Sequence, residues 1–222
     1  RELTNKRLSL VKYIKFNSQL ADNVENNIFF KFYLFIENML FFRSLENNQY
    51  IGLEIGNNSI QEDIIARGNL KMFEDFLNRA GVKCKLAVIK DFKRDEIAFD
   101  FRGKKLPFVQ VASTGTKSLA LYFYWFQRLR EDNQVSFVFI DEFDAFYHHT
   151  LSALIVGELK KTGVQFVLTT HNTSIISNDL LRPDCYFLMD KHEIRSLSKR
   201  TFKELREAHN IEKMYKAGSF NV

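Results

Sequence analysis

The sequence predicts an α/β protein: parallel strands flanked by helices, a small antiparallel meander and an N-terminal helical segment. Three observations predict it. From Ser113 onward, helical and strand patterns alternate, which suits a parallel sheet because every parallel pair needs a long crossover. Residues 137–140 (Phe-Val-Phe-Ile) and 165–169 (Gln-Phe-Val-Leu-Thr) are largely continuous apolar runs, as expected of strands covered on both faces. Before Val82, apolar residues recur mainly at helical spacing.

In chain order, residues 4–17 and 22–44 read as helices, carrying Leu8, Val11 and Ile14, then Phe29, Phe30, Tyr33, Ile36 and Leu40. Residues 50–55 read as a short strand. Ser59-Ile60-Gln61-Glu62 fits a capping box, in which the Ser oxygen and the Glu carboxylate satisfy N–H groups at a helix start. The helical pattern continues to Ala80 with an interruption near Gly68, and Gly81 sits where a C-terminal glycine ends a helix. Residues 83–90, 96–101 and 106–111 form the meander, with Arg102-Gly103-Lys104-Lys105 as a turn. A very apolar helix over 118–130 follows, then the strand at 137–140 and a helix over 150–161 that stops at Gly163. After the strand at 165–169, residues 185–189 and 193–198 form a last strand pair. Thr201 and Glu204 make a second capping-box match, predicted to open a polar helical tail.

Composition bounds the function classes. The 222 residues are 45% hydrophobic, with nine Gly and two Pro, which excludes disordered and collagen-like chains. The 23 Phe indicate dense apolar packing. Lys and Arg number 32 against 27 Asp and Glu, a net charge of +5 that leaves nucleic acid open as a partner without arguing for it. No apolar run reaches the roughly 18–20 residues that span a bilayer, and the N-terminus has no signal-peptide pattern. Cys84 and Cys185 match no metal or redox spacing, so a cytoplasmic protein with reduced cysteines is expected.

Three segments carry chemistry. Phe137-Val138-Phe139-Ile140 runs into Asp141-Glu142, two carboxylates at the end of a buried strand. In parallel α/β sheets, ligands sit beyond the carboxyl ends of the strands. Adjacent acids there suit two tasks: one holds Mg²⁺ and the other orients or deprotonates water. The strand at 165–169 ends at Thr170, followed by His171-Asn172, so His171 is expected to face the same crevice and donate to a terminal phosphate oxygen. Ala112-Ser113-Thr114-Gly115-Thr116-Lys117 opens the apolar helix with Ser113 as its N-cap, which makes an anion site of free N–H groups. Each segment alone also reads as ordinary structure: a solvated acidic strand end, a surface histidine, a plain N-cap.

Together, and in this order, the segments resemble the C-terminal part of an ABC-type P-loop ATPase. Ser113-Thr114-Gly115-Thr116-Lys117 looks like its signature motif, Asp141-Glu142 like the end of Walker B, and His171 like the switch histidine. Asp144 falls where the D-loop begins, although Asp144-Ala145-Phe146-Tyr147-His148-His149 is not the transporter form. Ile140-Asp141-Glu142-Phe143-Asp144 followed by His148-His149 is similar to the stand-alone bacterial AAA15 ATPases of abortive-infection and phage-defence systems. Residues 38–45 and 208–215 resemble the same family. The resemblance implies ATP and Mg²⁺ as cofactors and a homodimer that sandwiches ATP. In that dimer Glu142 and His171 are catalytic, Asp141 serves the metal, and Ser113, Thr114, Gly115, Lys117 and Asp144 contact nucleotide. An effector nuclease or other partner protein is the implied associate, and no membrane is involved.

The sequence holds no Gly-x-x-x-x-Gly-Lys-[Ser/Thr] loop, the cradle for the α- and β-phosphates. With Arg1 as its first residue, the chain is expected to be the C-terminal portion of a longer protein, inactive by itself. Residues 1–81 would be a helical subdomain or insertion tail, and 82–222 the catalytic lobe. Two alternatives belong to other classes: a TOPRIM-like metal nuclease built on Asp141, Glu142 and Asp144, and a non-catalytic interaction module. Ser113 is outside any Gly-x-Ser-x-Gly context, and His148-His149, Cys185 and His192 lack zinc spacing.

Overall fold

Asn38 ends one helix and starts the strand around which the molecule is organised. Its N–H donates to the Leu34 carbonyl at 3.1 Å, closing helix α1 (Val24–Glu37). Its carbonyl accepts from the Ser136 N–H at 3.0 Å, the first rung between β1 (Met39–Arg43) and the strand at Phe137–Asp141. The computed structural model describes residues 13–14, 18, 20–43, 49–52, 59–90, 94–131, 135–145 and 149–220. The predicted helix over 4–17 lies almost wholly outside them.

The helical reading of 22–44 is corrected here. Helical spacing through Phe29, Tyr33, Ile36 and Leu40 does continue, but residues 39–43 are extended. Leu40 and Phe42 point to one side and are fully enclosed (0% and 3% exposed), while Phe41 stacks on Phe139 of the neighbouring strand with ring centroids 5.0 Å apart. Burial within a sheet outweighs the local helical pattern. The following strand, β2, is Gln49–Gly52 and pairs antiparallel with β1.

Helices α2 (Ile60–Ala66) and α3 (Leu70–Arg79) follow, separated by Gly68 in the left-handed region at φ +67°. The capping box at Ser59 forms in both directions: its hydroxyl accepts from the Glu62 N–H, and the Glu62 carboxylate accepts from the Ser59 N–H. The meander is β3 (Leu86–Lys90), β4 (Asp95–Phe101) and β5 (Lys104–Pro107), all antiparallel. Its third strand is shorter than expected because Phe108–Val111 turns into a helical turn, α4, after Pro107.

Helix α5 (Thr114–Glu131) is the centre of the core. Leu119 through Phe126 are all below a tenth exposed, so the helix is enclosed on every face. Tyr122 and Trp125 meet Phe42 of the sheet, and Phe123 and Phe126 meet Phe73 and Phe76 of α3. The helix is therefore a layer between the main sheet and the α2–α3 unit.

The main sheet has the order β2-β1-β6-β7, with β6 (Phe137–Asp141) and β7 (Phe166–Leu168) joined by helix α6 (His149–Lys160). Strands β1, β6 and β7 are mutually parallel. The expected last alternation stops there. The chain after β7 makes short 3₁₀ turns, and β8 (Phe187–Met189) with β9 (Ile194–Ser196) forms a separate antiparallel pair. This region has its own small core of Ile176, Tyr186, Leu197, Ile211 and Phe220. The second capping-box expectation is also corrected. Thr201 accepts from the Lys203 N–H in a local turn, and the last helix, α7 (Ile211–Lys216), is capped by Asn210. Among the described residues, no helix is long and apolar enough to cross a membrane.

Candidate functional site

Strand β6 delivers Asp141 and Glu142 to the carboxyl end of the parallel sheet, next to the end of β7. The register sets Ile140 against Leu168, so the residues beyond each strand emerge side by side. The Thr169 N–H donates to the Ile140 carbonyl at 3.0 Å, and the Phe143 N–H donates to the Thr169 carbonyl at 3.1 Å, which extends the ladder past both strands. Phe143 is completely buried and its carbonyl accepts from the Tyr122 hydroxyl at 3.1 Å, anchoring the turn to helix α5.

Glu142 leaves the strand with φ +46°, a left-handed conformation that non-glycine residues adopt infrequently. Its carbonyl accepts from the Ala145 N–H at 3.0 Å, which closes a tight turn. Its carboxylate is about a third exposed, and its Oε1 lies 3.7 Å from Nε2 of His171, whose side chain stands 94% exposed. Asp141 is exposed; its Oδ1 accepts from the Thr169 hydroxyl at 2.6 Å, and its other oxygen has no hydrogen-bond partner among the described residues. An exposed, partly committed carboxylate is the hard oxygen donor that Mg²⁺ takes singly alongside phosphate and water.

Asp144 is engaged differently. Its Oδ1 accepts from the Thr170 hydroxyl at 2.5 Å, and its Oδ2 accepts from the Ser152 hydroxyl at 3.1 Å and the Asn172 amide at 3.0 Å. The Thr170 hydroxyl in turn accepts from the Asn172 N–H at 2.9 Å, so the two residues flanking His171 are bonded to each other and to Asp144. Among the described residues, no three His, Cys, Asp or Glu side chains are grouped to hold a metal ion, so Asp144 does not join Asp141 and Glu142 in a nuclease-type cluster. His148 lies outside the described residues.

The helix-start residues make local bonds of their own. The Ser113 hydroxyl accepts from the Thr116 N–H at 3.2 Å and bonds the Thr116 hydroxyl at 2.9 Å, so Ser113 caps α5 as expected. Ser113, Thr114 and Lys117 are exposed and Gly115 is half-buried. Among the described residues, no hydrogen bond or ion pair joins Ser113, Thr114, Gly115 or Lys117 to Asp141, Glu142 or His171.

The structure thus brings together Asp141, Glu142, Asp144 and His171. It adds Ser152, Thr169, Thr170 and Asn172, which the sequence reading did not single out as functional. The available signal was two successive hydroxyl residues at the end of an apolar strand, opposite an acidic strand end.

A family model described as "AAA domain, putative AbiEii toxin, Type IV TA system" matches residues 27–177, more than half of the chain and a span that holds every candidate residue. No curated protein matches the chain.

Proposed function

The chain belongs to this AAA-domain family, and on that premise we propose that it is the C-terminal portion of an ATP-hydrolysing dimeric switch ATPase. The observation that carries the reading is the pairing of Asp141 and Glu142 at the end of β6 with His171 at the end of the adjacent parallel strand, with 3.7 Å between Glu142 and His171. This is the crevice in which open α/β sheets bind ligands.

Each residue has a proposed task. The exposed carboxylate of Asp141 would hold Mg²⁺, which when bound neutralises phosphate charge. Glu142 polarises the attacking water and takes its proton. His171, with its side chain exposed, donates to the terminal phosphate. Asp144 opens the D-loop segment and fixes the turn that carries His171. Ser113, Thr114, Gly115 and Lys117 present the N-terminus of α5 to nucleotide held by a partner subunit, in keeping with the lack of any bond, among the described residues, from them to Asp141, Glu142 or His171. Among the described residues β7 has one strand neighbour, β6, and Val167 on it is 43% exposed. A P-loop strand from a longer protein would cover that edge. The proposed division is a helical subdomain or insertion tail over 1–81 and a catalytic lobe over 82–222, with the first segment lending β1 and β2 to the main sheet of the second.

On the sequence resemblance alone, the proposed role extends to bacterial phage defence in the cytoplasm, with ATP turnover controlling an effector nuclease or another partner protein. The occupied carboxylate of Asp144 speaks against the nuclease alternative. Calorimetric titration with Mg-ATP tests the reading: micromolar binding by the full-length protein is expected, and weak or no binding by the 222-residue chain alone. Failure of the full-length protein to bind ATP would overturn it.

A further inference from the structure

The acids and the histidine account for the chemistry, and a neighbouring hydroxyl bonds both residues of the acidic pair. We propose that Thr169 is a positioning residue of this site, whose single hydroxyl sets both the carboxylate of Asp141 and the backbone of Glu142. The inference rests on the ATPase reading above for its effect on turnover, and on geometry for the contact itself.

The Thr169 Oγ1 donates to Asp141 Oδ1 at 2.6 Å and accepts from the Glu142 N–H at 2.7 Å. The directions are fixed by the partners, since an ionised carboxylate only accepts and an amide N–H only donates. One hydroxyl therefore uses its donor and an acceptor lone pair on two consecutive residues of the acidic strand end. Its own placement is constrained from both sides. The Thr169 N–H is bonded to the Ile140 carbonyl and its carbonyl to the Phe143 N–H, and a β-branched side chain has few χ1 choices.

The Glu142 contact matters most. At φ +46° the residue occupies a conformation that has to be held by its surroundings. The N–H bond to Thr169 and the carbonyl bond from Ala145 are the two backbone bonds that hold it. Removing the hydroxyl leaves the Glu142 N–H without that partner, so the turn can relax and carry the Glu142 carboxylate away from His171 and from the water it would activate. A small displacement of a catalytic base costs rate much more than binding.

The test uses Thr169→Val, which keeps the branched shape and removes the hydroxyl, and Thr169→Ser, which keeps the hydroxyl. In the full-length protein, Thr169→Val should lower kcat at least about 10-fold while KM for ATP stays within about 3-fold, and Thr169→Ser should stay within about 3-fold of wild type in both. Amide hydrogen exchange in the same proteins gives a readout that does not depend on turnover. Glu142 should be protected in wild type and Thr169→Ser, and exposed to exchange in Thr169→Val. A wild-type kcat in Thr169→Val, a Thr169→Ser as slow as Thr169→Val, or unchanged Glu142 protection in Thr169→Val would each overturn the proposal. If the wild-type protein hydrolyses no ATP, the ATPase reading fails, and the exchange comparison still decides whether Thr169 sets the Glu142 backbone.

Discussion

Thr170 donates its hydroxyl proton to Asp144 across a 2.5 Å gap, tying the turn after β6 to the turn after β7. Asp144 also accepts from Ser152 on α6 and from Asn172, so one carboxylate joins three segments and brackets His171. All of its partners are donors. Asp144→Asn removes the charge that strengthens these bonds and turns one acceptor oxygen into an NH₂ group, which the Thr170 or Ser152 hydroxyl can meet only by reversing its donor role. The expected destabilisation is about 1–3 kcal/mol. Thermal unfolding checks it, together with broadening of the His171 ring signals in NMR. An unchanged melting temperature with unchanged His171 signals would show that the network contributes nothing.

Gly52 should resist substitution. Its φ of +134° is open essentially to glycine alone, and a Cβ there would run into the Met39 carbonyl oxygen of the paired strand. Gly52→Ala should cost about 1–3 kcal/mol, which corresponds to a melting decrease of about 2–4 °C per kcal/mol at this chain length. Denaturant titration with an unchanged slope would measure it cleanly.

Glu158 supplies a pH-dependent share of stability. Its side chain is 5% exposed and meets Lys161 at 2.9 Å, Arg130 at 2.6 Å and Arg79 at 3.2 Å. Burial pushes its carboxyl up, but the three cations outweigh burial and hold it below the ordinary carboxylate value. A depressed carboxylate stabilises the fold above the unfolded value near pH 4.3, and that contribution is lost as pH falls through the folded value. Glu158→Gln should therefore destabilise at pH 7 by about 1 kcal/mol, a figure kept modest because Arg79 and Lys161 are more than half exposed. The gap between wild type and variant should narrow below about pH 4. A gap independent of pH would contradict the assignment.

Local signals in the sequence were reliable where the interaction itself is local. The Ser59–Glu62 box, the Gly68 break and the Ser113 cap each involve neighbours within a few residues, and each is found in the structure. Thr201 and Glu204 show the limit, since the same pattern without an apolar face to bury makes only a turn. Strand β1 was misread because its apolar run continues the helical spacing of α1, while its partner β6 lies far along the chain. Of the candidate site, Asp141, Glu142 and His171 could be picked out because they stand at the ends of apolar runs. Thr169 and Thr170 were not, because what they do depends on which acids the strand register places opposite them.

The helix start at Ser113 gives a prediction about assembly. Gly115→Asp should leave the fold intact and block ATP-driven dimerisation of the full-length protein, because it places a negative charge where phosphate would approach. Mixed with Glu142→Gln subunits, it should recover some hydrolysis. One composite site of the mixed dimer then pairs an intact Glu142 with an intact helix start. Two inactive variants that stay inactive when mixed, despite forming the mixed dimer, would contradict an arrangement in trans.

The most direct measurement is Mg-ATP binding and turnover by full-length Glu142→Gln. The amide keeps the shape of the side chain and loses the charge that polarises water. Turnover should fall about 10²–10⁴-fold while ATP affinity is retained. Hydrolysis near the wild-type rate would contradict the assignment of Glu142 as the general base and, with it, of the β6 strand end as the catalytic site.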